Sequence, residues 1–98
     1  MRIEVLDSAQ QDLLAGYAFY ERQAHGLGSY FLDSLFSDID SLRLFAGVHA
    51  VHFGRYHRLL SKRFPFAIYY RLEADTVRIR AILDCRQDPR MVTDRLKA

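Results

Sequence analysis

The sequence predicts an α+β fold of order β-α-α-β-β-β. A helix hairpin packs on one face of a small, mainly antiparallel sheet, and a short C-terminal arm follows. Three observations point there. Apolar residues from Leu13 to Leu42 recur at helical spacing. From Tyr56 to Leu83 they gather in short runs rich in aromatic and β-branched residues. Glycines and a proline ("HGLG", Gly47, Gly54, Pro65) punctuate the chain between these segments.

"RIEVL" alternates and reads as a short first strand. Asp7 or Ser8 can then cap a helix by accepting hydrogen bonds from free first-turn amides. Leu13, Tyr17, Tyr20 and Ala24 fall on one face of that helix, and Gly16 weakens it. Gly26 and Gly28 supply the left-handed backbone of a helix end. A second helix carries Phe31, Leu35, Ile39 and Leu42, widened by Leu32 and Phe36. Asp33, Ser37, Asp38 and Ser41 take its wetter side. So short a link predicts an antiparallel helix pair.

"RYHRLLSKR" reads as the second strand, "FAIYYRL" as the third and "TVRIRAIL" as the fourth, with Glu73, Ala74 and Asp75 turning between the last two. Pro65 belongs at the turn or first residue of the third strand, because it has no amide to donate. Setting Leu72 opposite Val77 places Arg71 against Arg78, Tyr69 against Arg80 and Ala67 against Ile82. The other face then pairs Tyr70 with Ile79, Ile68 with Ala81 and Phe66 with Leu83. One face is almost wholly apolar and should meet the helices. The other carries arginines, and like charges directly opposed weaken pairing, so Arg71 and Arg78 call for a counter-charge, solvent or a function. The tail "DPRMVTDRLKA" reads as a short arm or helical turn whose Met91, Val92 and Leu96 seek a surface.

The 98 residues suit one domain, 1–98, and half are hydrophobic, which excludes a disordered chain. No apolar run approaches the roughly 20 residues of a membrane span. "MRIEVLDSAQ" has no long apolar region and does not read as a signal peptide. Cys85 is the single cysteine, so no internal disulfide forms, and a cytoplasmic protein is the simplest expectation. Charge is segregated. Residues 1–40 hold seven acids and two bases (net −5), and residues 41–98 hold twelve bases and five acids (net +7). No acid occurs from Ser41 to Leu72. This is either a solubilising surface or a basic face for an acidic partner.

Among the polar residues, Arg58, Tyr69, Arg71, Arg78, Arg80 and Arg86 are the candidates for contact with a target or partner, since arginine makes bidentate bonds and stacks on aromatics. Tyr69 opposite Arg80 would make such a stack. A plainly solvated face is the alternative. His49 and His52 stand three apart without a nearby acid or cysteine, so neither a metal nor another cofactor is expected. Cys85 reads as a small packed side chain, and the Gly26–Gly28 turn lacks the Lys-Ser/Thr of a phosphate loop. Tyr17, Tyr20, Tyr30 and Phe31 line the helix hairpin as core or seam, and any left exposed would mark an interface.

Three stretches, "DLLAGYAFYERQAHGLGSYFLDSL", "RFPFAIYYRLEADTVRIRAIL" and the closing "CRQDP", together resemble the RelE/ParE superfamily, the toxins of type II toxin–antitoxin modules. The likeness spans nearly the whole chain and is greatest to the ParE branch, often called plasmid stabilisation proteins. It implies a cytosolic bacterial toxin held inactive by a cognate antitoxin, in a toxin–antitoxin hetero-oligomer. ParE-like members are associated with DNA gyrase inhibition, and RelE-like members cleave messenger RNA in the ribosome.

Departures from the ribonuclease pattern favour the ParE side. Ala67 stands where that branch carries a basic residue, and Leu60 stands at another often basic position, although Arg58 and Lys62 can match. No Tyr follows Tyr70 and no His follows His57, so the tail has no acid or base to move a proton. Arginine stays protonated and cannot substitute. Asp84 and Cys85 stand where ParE-like relatives often have a His, before Arg86 and Gln87. An RNA-cleaving toxin, or a decayed one that only binds its antitoxin, remains the alternative.

Overall fold

The computed structural model describes residues 1–52 and 54–97; Phe53 and Ala98, the last residue of the expected arm, lie outside it. Helical periodicity produces α1 (Asp7–Gln23) and α2 (Leu27–Asp40), which pack on one another. The buried stripe of α1 is Ala9, Leu13, Gly16 and Tyr20. Tyr17 is only half-buried and Ala24 is exposed, so the expected stripe is rotated by part of a turn. On α2 the apolar stripe of Phe31, Leu35 and Ile39 is buried as its spacing predicts. Leu42 is buried too, but on a separate single turn, α3 (Leu42–Phe45).

Three local expectations change. Neither Asp7 nor Ser8 caps α1: the capping position is Leu6, with no side-chain bond. Ser8 is drawn to the sheet instead, where its Oγ donates to the Arg80 carbonyl (3.0 Å) and accepts from Arg80 Nη1 (2.9 Å). Asp38 is not on a wet face; it is buried and accepts a 2.6 Å bond from Ser61 Oγ. Only Gly26 of the turn takes the left-handed backbone (φ +86°). Gly28 sits inside α2, where an added Cβ would lie 2.8 Å from the Tyr17 carbonyl oxygen. The Glu21 carboxylate closes the turn by accepting the amides of Gly26 (3.0 Å) and Gly28 (2.9 Å), and the Gly26 bond chiefly holds its pKa below the usual carboxylate value.

The helix crossing therefore depends on glycine at 28. Gly28→Ala gains about 1 kcal/mol of helix propensity, but overpacking against a backbone atom costs about 1–3 kcal/mol. A net loss of up to about 2 kcal/mol is expected, read as a lower urea midpoint with an unchanged m-value.

The strands are β1 (Arg2–Val5), β2 (Val51–His52), β3 (Tyr56–Leu60), β4 (Phe66–Glu73) and β5 (Thr76–Asp84). They form one sheet of order β1-β5-β4-β3-β2, in which β1 runs parallel to β5 and the other pairs are antiparallel. β2 is an addition to the expected order, a two-residue edge strand too short to carry alternation. Helices α1 and α2 cover the inner face, over Phe66, Ile68, Tyr70, Val77, Ile79 and Ile82.

The β4–β5 register follows expectation from Glu73–Thr76 through Leu72–Val77 and Arg71–Arg78 to Tyr70–Ile79. It then shifts, so that Tyr69 pairs with Ala81, Ile68 with Ile82, Ala67 with Leu83 and Phe66 with Asp84. The extra residue on β5 is Arg80, a β-bulge that turns every following side chain over. Ile82 thereby enters the main core rather than the arginine face, and the expected Tyr69–Arg80 pairing does not occur.

The bulge leaves Ala81 and Leu83 on the outer face with Ala67 and Tyr69. The tail covers them as a full helix, α4 (Pro89–Lys97), rather than a loose arm. Its Val92 and Leu96 join Tyr56, Ala67, Tyr69, Ala81 and Leu83 in a second core. Asp88 sets its start by accepting the Arg90 amide (2.9 Å), and Pro89 takes the first helical position, where no amide is needed. Met91, expected to seek a surface with them, stays 55% exposed.

Candidate partner-binding site

Arg58, Arg71 and Arg78 share the outer sheet face, but each is placed differently. Arg58 on β3 pairs with Tyr69 and, with Tyr69, Cys85, Gln87, Pro89 and Val92, lines a small cleft beside α4. Arg71 is exposed at the far end of β4. Arg78, directly opposite it, is neutralised by Glu4 (2.8 Å) and Glu73 (3.4 Å). The counter-charge that the opposed arginines call for is thus supplied from β1 and from the end of β4. These pairs are about 40% exposed (41% for Arg78), so each contributes little to stability.

The other candidates are held by the fold. Tyr69 is buried beneath α4, at 4% exposure. Arg80 reaches Ser8 Oγ and the Arg95 carbonyl (2.8 Å), joining α1, the bulge and α4. Arg86 is exposed and clasps Asp84 through Nη2 (2.7 Å) and Nε (3.0 Å). This pairing lowers the Asp84 pKa and raises that of Arg86. The six residues therefore do not form one continuous cationic plane. Cys85 is at the surface, yet partial burial of its thiol pushes its pKa up, which leaves it protonated near neutral pH.

Sequence reasoning missed Asp12. It accepts from Nη1 and Nη2 of Arg95 (2.8 Å each) and from the Ile82 amide just past the bulge (3.0 Å). It also missed a histidine–tyrosine cluster. The fully buried Tyr70 accepts the Gly47 amide at its hydroxyl (3.0 Å) and lies 2.6 Å from His49 Nδ1. His57 stacks on the Tyr70 ring (5.0 Å between centroids) and its Nδ1 meets the His49 carbonyl at 2.7 Å. With the Gly47 amide donating to its oxygen, the Tyr70 hydroxyl is best placed to donate its own proton to His49 Nδ1, which requires that Nδ1 be unprotonated and His49 neutral.

Burial, then the nearby His57, lowers the His49 pKa. The folded state binds fewer protons than the unfolded one, so the cluster's contribution is fully present above about pH 6.5. It is lost as pH falls through the lower folded value. Tyr70→Phe removes the donor and leaves the Gly47 amide unpaired, costing about 1–2 kcal/mol. It should also raise the His49 titration midpoint in NMR; an unmoved midpoint would show that no proton is shared.

The helix pair exposes a second kind of surface. Val5, Gln10, Leu13, Leu14, Leu32 and Phe36 line an apolar groove, with Leu14 58% and Phe36 50% exposed. Of Tyr17, Tyr20, Tyr30 and Phe31, Tyr20 and Phe31 are buried, Tyr17 is half-buried and Tyr30 is exposed, with the Arg63 guanidinium 6.0 Å from its ring centre. Leu14, next to the striped Leu13 but off the stripe, was the available signal for the groove. Among the described residues no helix is long and apolar enough to cross a membrane.

No family model and no curated protein matches the chain. Among solved structures it is similar to a chain of the chromosomal ParDE TA system from P. aeruginosa, with a TM-score of 0.73 and 21% identity over 84% of this chain and 92% of that chain. The fold of this chain, a helix hairpin on a mostly antiparallel open sheet, is therefore similar to that of a chain from a ParDE TA system.

Proposed function

We propose that the protein is the toxin of a type II toxin–antitoxin module, neutralised by a cognate antitoxin and acting by inhibiting DNA gyrase. The ParDE likeness of the fold supports the toxin role. The outer sheet face supports this mode of action over RNA cleavage. Where the ribonuclease branch would assemble its chemistry, Ala67 is buried and α4 closes over the strand. The adjacent cleft offers Arg58, Tyr69, Cys85 and Gln87, with the tyrosine buried and the thiol pKa raised. An RNA 2′-hydroxyl needs a base and the leaving oxygen an acid; this cleft holds neither in a usable form near pH 7. In this reading the antitoxin covers the Leu14–Phe36 groove, and Arg58, Arg71, Arg78 and Arg86 contact the target or the antitoxin, with Tyr69 and Arg80 supporting them from beneath α4.

Expression without an antitoxin should arrest growth with a DNA-damage response, and the purified protein should block supercoiling by gyrase. Codon-specific cleavage of ribosome-bound messages would replace this function with the RelE type. Binding to the antitoxin without any growth effect would identify a decayed toxin.

A further inference from the structure

The segment after α2 departs from every rule for an idle loop. Leu44 (83%), Phe45 (53%), Val48 (72%) and Val51 (55%) are all exposed. Four large apolar side chains within eight residues form a ridge rather than scattered surface hydrophobes. The ridge is also held firmly. Val48 N–H bonds to the Phe45 carbonyl (3.3 Å), Gly47 N–H and His49 are tied to the buried Tyr70 hydroxyl, and the His49 carbonyl is tied to His57. Gly47 (φ +92°) makes the turn that permits this, and a Cβ added there would lie 3.3 Å from the Leu72 side chain. A surface ordered before binding has less entropy to lose on association.

Its charge setting is one-sided. Between Ser41 and Leu72 lie Arg43, Arg55, Arg58, Lys62, Arg63 and Arg71, with no Asp or Glu; Arg43 is paired with Asp40 at the end of α2 (2.8 Å). The Leu14–Phe36 groove, by contrast, belongs to the half of the chain with net charge −5. The two exposed apolar surfaces thus lie in stretches of chain of opposite net charge, and complementary charge selects partners.

We propose that the Leu44–Val51 ridge is a docking surface for an acidic protein partner, separate from the helix groove. Nucleic acid would also answer the positive field, but its binding sites are polar and cationic, whereas this one presents leucine, phenylalanine and valine. The acid-free flank steers the partner, and the apolar ridge fills a pocket on it.

The test uses the full chain and two helical peptides with the same apolar stripe, one with glutamates and one with lysines on the polar face. Amide shifts are followed by NMR. The glutamate peptide is expected to move Leu44, Phe45, Val48 and Val51, and the lysine peptide Leu14, Leu32 and Phe36. Leu44→Asp with Val48→Asp replaces two exposed residues, so the fold should persist by circular dichroism while glutamate-peptide affinity falls at least about tenfold. Leu14→Asp should leave that affinity unchanged. The proposal is overturned if neither peptide binds the ridge, or if both bind the same surface. It is equally overturned if duplex DNA shifts the ridge more strongly than the glutamate peptide, or if the ridge amides shift with protein concentration alone, which would make it a self-association surface. None of these results depends on whether gyrase is the cellular target.

Discussion

Phe31→Ala is expected to remove about 3–5 kcal/mol of stability, the range for truncating a large aromatic in a packed core. Phe31 has no exposed surface and lies within 5.0–5.2 Å, between ring centres, of Tyr20, Phe64 and Phe66. It therefore joins α1, α2 and the start of β4, and no single neighbour can move to fill the space. Stability of a domain this size is about 5–15 kcal/mol, so about a fifth or more would be lost. Urea denaturation followed by circular dichroism measures it.

The same site makes a prediction about sign. A Cβ at Gly16 would lie 2.5 Å from Phe31 Cε2 and Cζ. Gly16→Ala should therefore destabilise the wild type, despite about 1 kcal/mol of helix propensity in its favour. In Phe31→Ala the new methyl enters the vacated space, and the same substitution should stabilise. A double-mutant cycle reads the coupling; equal effects in both backgrounds would show that Gly16 is not there to admit the ring.

How much of this was legible depends on which physical signal each feature leaves. The helix pair was readable because Phe31, Leu35, Ile39 and Leu42 recur at a period that only a helix uses. The hairpin register was readable as far as Tyr70, because the turn fixes it locally. Beyond that point the Arg80 bulge is set by tertiary contacts. Ser8 binds the Arg80 carbonyl and guanidinium, and Asp12 takes the Ile82 amide, across 72 and 70 residues of chain. No local pattern reports such bonds. One signal was available: Phe66 to Tyr70 are five consecutive apolar residues, all buried. An uninterrupted run means both faces are covered, which required the tail to pack on the sheet. The candidate site suffered for that reason. Arginines read as one face were assigned on a strict alternation that the bulge breaks, and Tyr69 was counted as surface although α4 lies over it.

Asp12→Ala tests that arrangement, with an expected loss of about 2–3 kcal/mol. Hydrogen bonds to charged groups are worth about 1.5–3 kcal/mol, and Asp12 makes three at once: two with Arg95 and one with the Ile82 amide. Breaking a fully buried pair costs about 3–5 kcal/mol, but the Arg95 side chain keeps 36% of its exposure, so water screens the stranded charge and the lower figure applies. Asp12→Asn retains an acceptor for the Ile82 amide and should cost roughly half as much. The damage should be local. Losing Asp12 unfastens α4 from α1, so hydrogen exchange should rise from Arg90 to Lys97 and over Ala81 and Leu83, while Ile68 and Tyr70 stay protected. Trypsin should then cut first at Arg90 and Arg95. Uniform exchange across the sheet would instead make Asp12 a global support. If α4 opens as expected, Tyr69 and the flank of Arg58 become accessible without any change in their own chemistry. The variant then separates two properties of the outer face: whether it lacks proton-transfer groups, or only hides them. If RNA remains uncut by the Asp12→Ala protein, the missing acid and base, and not the covering helix, are what bar cleavage.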